Sequence, residues 1–171
     1  MFESSTAGIM AGLVLSALLA LACFFDVRAR RIPNVLVRTL AATGLAYALV
    51  HGPGTRGAVR ALLSAILGLA LWLPFSLSGK LGTGDVKLFA AASAWLEPGT
   101  CLRAALFAAL LGGVLAIVWV MRQRIGAGRA EIGGGSDRQR GRVALPYGVA
   151  MAAGVAIVVW MPAAAGLGGM R

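Results

Sequence analysis

The apolar residues of this 171-residue chain fall into six continuous blocks separated by short polar stretches. A bilayer core about 30 Å thick needs roughly 20 apolar residues per helical crossing, and no block shows the alternation typical of a barrel strand. The pattern therefore predicts an all-α polytopic membrane protein, with residues 1–171 forming one bundle of about six transmembrane helices. The predicted spans are Ala7 to Phe25, Val35 to Val50, Ala58 to Leu77, Asp85 to Leu96, Ala104 to Met121 and Val143 to Met161.

The fourth block is too short for an ordinary crossing. Eleven residues separate Asp85 from Glu97, and at about 1.5 Å each they cover roughly 17 Å. Either the bilayer thins there or Asp85 lies below the membrane surface. The preceding Gly79, Gly82 and Gly84 let irregular backbone dip inward, which is tolerated only beside protein or a water-filled cavity. We favour a hydrated cavity open to the cytoplasm.

Composition and charge support a membrane protein and give its orientation. The chain is 59% hydrophobic with a mean hydropathy of +0.84, and its net charge of +10 comes from basic residues beside apolar blocks, which is typical of topology signals rather than nucleic-acid binding. The excess of basic residues in one set of loops predicts that the N-terminus is outside and that Asp26 and Asp85 lie at cytoplasmic helix ends. The predicted cytoplasmic set is Arg28, Arg30, Arg31, Arg38, Lys80, Lys87, Arg122, Arg124, Arg129, Arg138, Arg140 and Arg142, against Arg56, Arg60, Arg103 and Arg171 outside.

Three further patterns have smaller consequences. Cys23 lies in the first block and Cys101 in a predicted short loop, with no C-x-x-C pair that would indicate a zinc site. The N-terminal "MFESSTAG" lacks a basic region, so the first block is expected to remain as a span rather than be cleaved as a signal peptide. Small-x-x-x-small spacing permits close helix contacts, although general alanine and glycine richness is the better explanation of any single pair. The pairs are Gly8 with Gly12, Ala109 with Gly113, and Ala150 with Gly154.

Only two carboxylates lie at membrane depth. Four others, Glu3, Glu97, Glu131 and Asp137, fall in predicted tails or loops. An ionisable residue inside the membrane indicates function, and Asp26 and Asp85 are each other's obvious partners. Two carboxyl groups held close together share one proton, which suits aspartyl-protease chemistry. The residues alone leave open which aspartate is the base, and whether instead Asp85 only caps a helix while Asp26 pairs with Arg28 or Arg30.

Three motifs resemble those of a known family. They are "DVRARRIPN" at residues 26–34, "GTGDVKL" at 82–88 and "LPYGVAMAAG" at 145–154. Together they resemble type IV prepilin peptidases, which are GxGD aspartyl proteases, in the short form that serves tight-adherence (Flp-type) pili. A lone GxGD would be a weak signal, but the first two motifs at separate helix ends are specific.

The resemblance implies a role for each matching residue. Asp26 and Asp85 would be the catalytic pair, and Gly82 and Gly84 would shape the loop that presents Asp85. Pro33 suits the start of the second span because its fixed φ fits a first helical turn. Lys87 would help to hold the substrate, although snorkelling to the interface is the more usual role. The remaining motif residues, expected to support the site, are Ile32, Asn34, Pro146, Tyr147 and Gly148.

The resemblance also implies a function and a location. The expected protein is an aspartic endopeptidase of the bacterial inner membrane that cuts the leader from prepilin-like precursors on the cytoplasmic side, without a metal or other cofactor. Its partners would be the precursor and the lipid bilayer, and nothing in the sequence corresponds to the methyltransferase-associated region of longer members. The alternatives are a small membrane transporter that relays protons through the aspartates, and a non-catalytic pilus assembly factor.

Overall fold

The computed structural model describes residues 6–29, 32–79, 81–127 and 147–160. Within these ranges the chain forms α-helices joined by short turns, and no strand, which confirms the predicted all-α class. The helices are α1 (Thr6–Ala29), α2 (Asn34–His51), α3 (Thr55–Leu77), α4 (Thr83–Ser93), α5 (Pro98–Ala127) and α6 (Tyr147–Trp160).

Three of these helices are long and apolar enough to cross a bilayer. They are α1, α3 and the Pro98–Arg122 part of α5, with mean hydropathies of 2.4, 1.8 and 2.5. Their outward side chains are large and apolar, as on α3, where Leu62, Leu63 and Ile66 are more than half exposed. Apolar surface of this kind faces lipid in a membrane protein and needs no further cover.

The short α4 lies at the centre of the bundle. Around it α1 packs on α2, α2 on α3, α3 on α5, α5 on α6, and α6 on α1, which closes a ring, while α4 contacts α1, α2, α3 and α6. The α4 side chains Val86, Leu88 and Phe89 are almost completely buried. A helix surrounded by protein need not reach both membrane surfaces, which is why eleven residues are sufficient here.

Of the three predicted small-residue pairs, one makes a close helix contact and a second makes an ordinary van der Waals contact. A methyl group on Gly154 would lie 2.6 Å from the Ala108 nitrogen, so α5 and α6 touch through their backbones. On α1, the corresponding position of Gly12 faces the Trp160 ring at 3.6 Å. Gly113 has nothing within 4 Å, so the expected contact at Ala109 and Gly113 is wrong for the described part of the chain.

The predicted start of the fifth span is also wrong. The α5 helix begins at Pro98, six residues before Ala104, because a proline suits the first turn and the Cys101 N–H donates to the Glu97 carbonyl at 2.8 Å. Cys101 is therefore in a helix and completely buried, not in a loop. Its thiol lies 3.3 Å from the Ser93 hydroxyl, which joins α5 to the end of α4.

Candidate active site

Both membrane-depth aspartates lie near helix ends at one end of the bundle. Asp26 is in the last turn of α1, and Asp85 is the third residue of α4. Their side chains are 8% and 9% exposed, respectively. Burial of a carboxylate costs several kcal/mol unless other groups compensate, so two such residues in one place require an explanation.

The two carboxyl groups meet at Gly148, the second residue of α6. A methyl group on Gly148 would lie 2.7 Å from Oδ2 of Asp26 and 3.1 Å from Oδ1 of Asp85. Those two oxygens can be no further apart than the sum of these distances. Residues 59 positions apart in the sequence are thus brought together by the packing of α1, α4 and α6, as their pairing predicted. We call this pair of carboxyl groups the dyad.

The Asp26 carboxyl group is only partly satisfied. Its Oδ2 atom is buried and accepts no hydrogen bond within the described part of the chain. The backbone N–H of Gly148 interacts with the same carboxyl group. Since buried polar atoms are almost always paired in folded proteins, an unpaired carboxylate oxygen indicates a site built for a ligand or water. Arg28, the described one of the two alternative partners, is exposed at the end of α1.

Of the two glycines of the GxGD motif, Gly82 lies against the Asp85 carboxyl group and Gly84 faces Ile32. Gly82 is the N-cap residue of α4, and a methyl group on it would lie 3.2 Å from Oδ2 of Asp85. The same group on Gly84 would lie 4.0 Å from the Ile32 side chain, which packs on the core. Since Gly82 occupies the N-cap position of α4, Asp85 lies in the first turn of the helix and not at the N-cap.

The other residues of the first two motifs lie around the dyad rather than in it. Pro33 immediately precedes the first residue of α2, and its carbonyl accepts the N–H groups of Leu36 and Val37 at 3.0 and 3.3 Å. Asn34 and Lys87 are exposed. Exposure of Lys87 fits snorkelling at the membrane interface. Pro146, the remaining predicted site residue, lies outside the described residues.

An aromatic cluster holds the start of α6 beside the dyad. Tyr147 packs directly against Gly112 of α5, and its ring is 5.8 Å from Trp72 of α3 in an edge contact. Trp72 makes a second edge contact, also at 5.8 Å, with Phe89 of α4. Neither Trp72 nor Gly112 is recognisable from the sequence, because both stand inside apolar blocks where a tryptophan or a glycine is unexceptional. Because Tyr147 directly precedes Gly148, these aromatic contacts also fix the position of Gly148.

A metal-binding cluster is not formed by the described side chains. Within residues 6–29, 32–79, 81–127 and 147–160, no group of three or more His, Cys, Asp or Glu residues is placed to hold an ion. The dyad is the place where these helices bring ionisable side chains together away from water.

Comparison with known proteins identifies one family. Residues 13–117, more than half of the chain, match the family model described as the type IV leader peptidase family. The matched range contains both dyad aspartates but ends before α6. Neither the curated proteins nor the solved structures contain a significant match.

Proposed function

Since this chain belongs to the type IV leader peptidase family, we propose that it is an intramembrane aspartic endopeptidase that removes the leader of type IV prepilin-like precursors. Membership of the family makes the protein a membrane peptidase. The aspartic mechanism is proposed from one observation, which is the convergence of two buried carboxyl groups on Gly148. The prepilin substrate is proposed from the three sequence motifs.

The charge state of the dyad suits hydrolysis of a peptide bond. Two carboxyl groups this close cannot both ionise at low cost, so one proton is held by the pair. The ionised aspartate then acts as the general base and the protonated one as the general acid. Either Asp26 or Asp85 can take either role in this scheme, because the pair titrates as a unit.

The reaction needs only water and the two carboxyl groups. The ionised aspartate takes a proton from water while the water oxygen bonds to the scissile carbonyl carbon, and the protonated aspartate gives its proton to the carbonyl oxygen. The resulting tetrahedral intermediate collapses as the aspartate that accepted the water proton passes it to the leaving nitrogen. The carbon–nitrogen bond breaks, and the hydroxyl proton returns to the other aspartate, which restores the shared proton.

The precursor and the lipid bilayer are the proposed partners. A precursor whose apolar helix already lies in the membrane meets the peptidase in two dimensions, so its leader junction reaches the dyad at a high effective concentration. The distribution of basic residues supports cleavage on the cytoplasmic face of the bacterial inner membrane.

Replacement of each aspartate tests the mechanism. Asp26→Asn and Asp85→Asn keep the side-chain size but prevent the pair from sharing a proton, so each is expected to lower precursor cleavage about 100-fold or more. Cleavage is measured as a mobility shift after coexpression with a prepilin precursor. Immunoblots of the membrane fraction control for accumulation of each variant.

Two outcomes would contradict the proposal. Cleavage at the wild-type rate by either asparagine variant would show that the dyad does not catalyse the reaction. Aspartate-dependent proton flux in proteoliposomes, in the absence of any precursor cleavage by the wild-type protein, would favour a transporter instead.

A further inference from the structure

A cleft opens on the side of the bundle between α1 and α6. Its volume is about 600 Å³, and it is lined by Ala20, Cys23, Phe24, Val27, Arg28 and Val149. Pockets of roughly 300–1,000 Å³ hold drug-sized ligands, so the space is large enough for several side chains of a partner helix. Arg28 is the one charged residue of this lining.

The cleft adjoins the dyad along α1 and α6, although Asp26, Asp85 and Gly148 are not part of its lining. Asp26 stands between Cys23 and Val27 on α1, and Val149 directly follows Gly148 on α6. The Cys23 thiol is close enough to the Asp26 carboxyl group for the two to interact electrostatically. Two residues of the lining, Cys23 and Val27, therefore lie within one helical turn of Asp26 along α1. A separate cavity, which includes Tyr47, His51 and Glu97, is at the opposite end of α2 and α4.

We propose that this cleft is the docking surface for the apolar helix of the precursor. The inference rests on the proposed function and specifies how that substrate reaches the buried dyad. A precursor in which a polar leader precedes an apolar helix must keep that helix in lipid while the junction between them enters the protein. Phe24 and Val27 are 56% and 64% exposed on the outer edge of α1, so a helix can slide against them without crossing water.

Arg28 is suited to the point where the docked helix ends. The first turn of the precursor helix leaves backbone N–H groups without intrahelical partners. Local unwinding of that turn, which hydrolysis of the adjacent bond requires, frees carbonyl groups as well. A guanidinium group offers five N–H donors, which can pair with the carbonyl groups freed in this way. The cleft thus combines an apolar wall for the helix with a donor for the extended segment beside Asp26.

Native Cys23 provides a direct test by disulfide formation. In the Asp85→Asn background, precursors with a single cysteine at successive positions near the start of the apolar helix are oxidised under mild conditions in membranes. We expect an adduct with Cys23 at positions that recur every three to four residues, as one face of a helix requires. The adduct should disappear in Cys23→Ala, and completely buried Cys101 serves as the internal control.

A second experiment fills the cleft with a large side chain. Cys23→Trp places a large side chain in it and is expected to lower the cleavage rate about tenfold or more, since docking is then displaced from the dyad. Leu13→Trp, on an exposed face of α1 outside the cleft, is the matched control and should cleave at the wild-type rate. The crosslinking arm remains decisive if Cys23→Trp fails to accumulate.

The outcomes separate this inference from the proposed function. If the wild-type protein cleaves the precursor but no Cys23 adduct forms, the cleft does not hold the helix, while the peptidase function stands. A Cys23 adduct joining two copies of this chain in place of the precursor would assign the cleft to self-association and overturn the inference. If the wild-type protein cleaves no precursor, the proposed function itself fails.

Discussion

Gly148 occupies the point where the Asp26 and Asp85 carboxyl groups meet, and a methyl group there would displace at least one of its neighbours. In Gly148→Ala the new methyl group would lie 2.7 Å from Oδ2 of Asp26, closer than nonbonded atoms tolerate. The carboxyl groups or the start of α6 must then move. Because a misplacement of about 1 Å can cost about 100-fold in rate, we expect a loss of that order in the initial rate of precursor cleavage by the purified variant.

Gly99→Ala is the matched control for this substitution. Gly99 is the second residue of α5, as Gly148 is of α6, and nothing lies within 4 Å of the position a methyl group would take. Its cleavage rate should stay at the wild-type value. If Gly148→Ala cleaves as fast as Gly99→Ala, the carboxyl groups do not need the space that Gly148 leaves.

At the scale of single residues, the sequence predicts charged groups better than small ones. Asp26 and Asp85 were identified because a carboxylate beside an apolar block is costly and rare. Gly148 was named only through the family resemblance, since one glycine among 24 carries no signal of its own. The Asp26 and Asp85 carboxyl groups approach Gly148 closely only once α1, α4 and α6 are packed. The same reason explains why Trp72 was missed.

At the scale of elements, the contact between α5 and α6 depends on the absence of a side chain at Gly154. A methyl group there would lie 2.6 Å from the Ala108 nitrogen and 2.9 Å from the Ala104 oxygen, and neither backbone atom can rotate away. We therefore expect Gly154→Ala to reduce the free energy of unfolding by about 1–3 kcal/mol. The measurement is an unfolding titration with SDS from mild detergent micelles, followed by circular dichroism.

Gly113→Ala tests whether close packing, rather than the loss of a glycine, causes that effect. Gly113 lies in the middle of α5 with nothing within 4 Å, so alanine there only improves helix propensity, by up to about 1 kcal/mol. This variant should be as stable as the wild type or more so. Equal destabilisation of both variants would show that the Gly154 contact is unimportant.

The positions of the helices were largely predictable, whereas their neighbours were not. Hydropathy located all of the described helices because a continuous apolar block has a beginning and an end in the sequence. Hydropathy did not predict that α4 lies inside the ring of helices. Apolar residues such as Val86, Leu88 and Phe89 are equally suited to contact with lipid and with protein. The sequence feature that pointed to the unusual position of α4 was the short length of the fourth apolar block. Periodicity likewise could not distinguish Gly154, which is packed, from Gly113, which is exposed.

At the scale of the whole molecule, the bundle has two chemically different ends. The dyad lies at one end with the start of α4. At the other end, the Trp95 indole N–H donates to the Leu40 carbonyl at 2.9 Å, and its ring stacks on Tyr47 with centroids 5.6 Å apart. These contacts fix the far end of α4 to α2. The end opposite the dyad therefore anchors the central helix.

The orientation of these two ends in the membrane gives the last prediction. His51 is exposed at the far end of α2, and Ser78 is exposed after α3 at the dyad end. Because basic residues concentrate in the loops at the dyad end, this end should face the cytoplasm. In a Cys23→Ala background, a membrane-impermeant maleimide should label His51→Cys in spheroplasts. Ser78→Cys should react only after the inner membrane is permeabilised.

Cys101 can remain in these proteins because its side chain is completely buried and should not react while the fold is intact. The Cys23→Ala protein without an added cysteine measures this background. Labelling of Ser78→Cys in intact spheroplasts, with His51→Cys protected, would place the dyad on the outer face. A leader still attached to a precursor in the cytoplasm would then be out of reach, so that pattern would contradict both the orientation and the proposed site of cleavage.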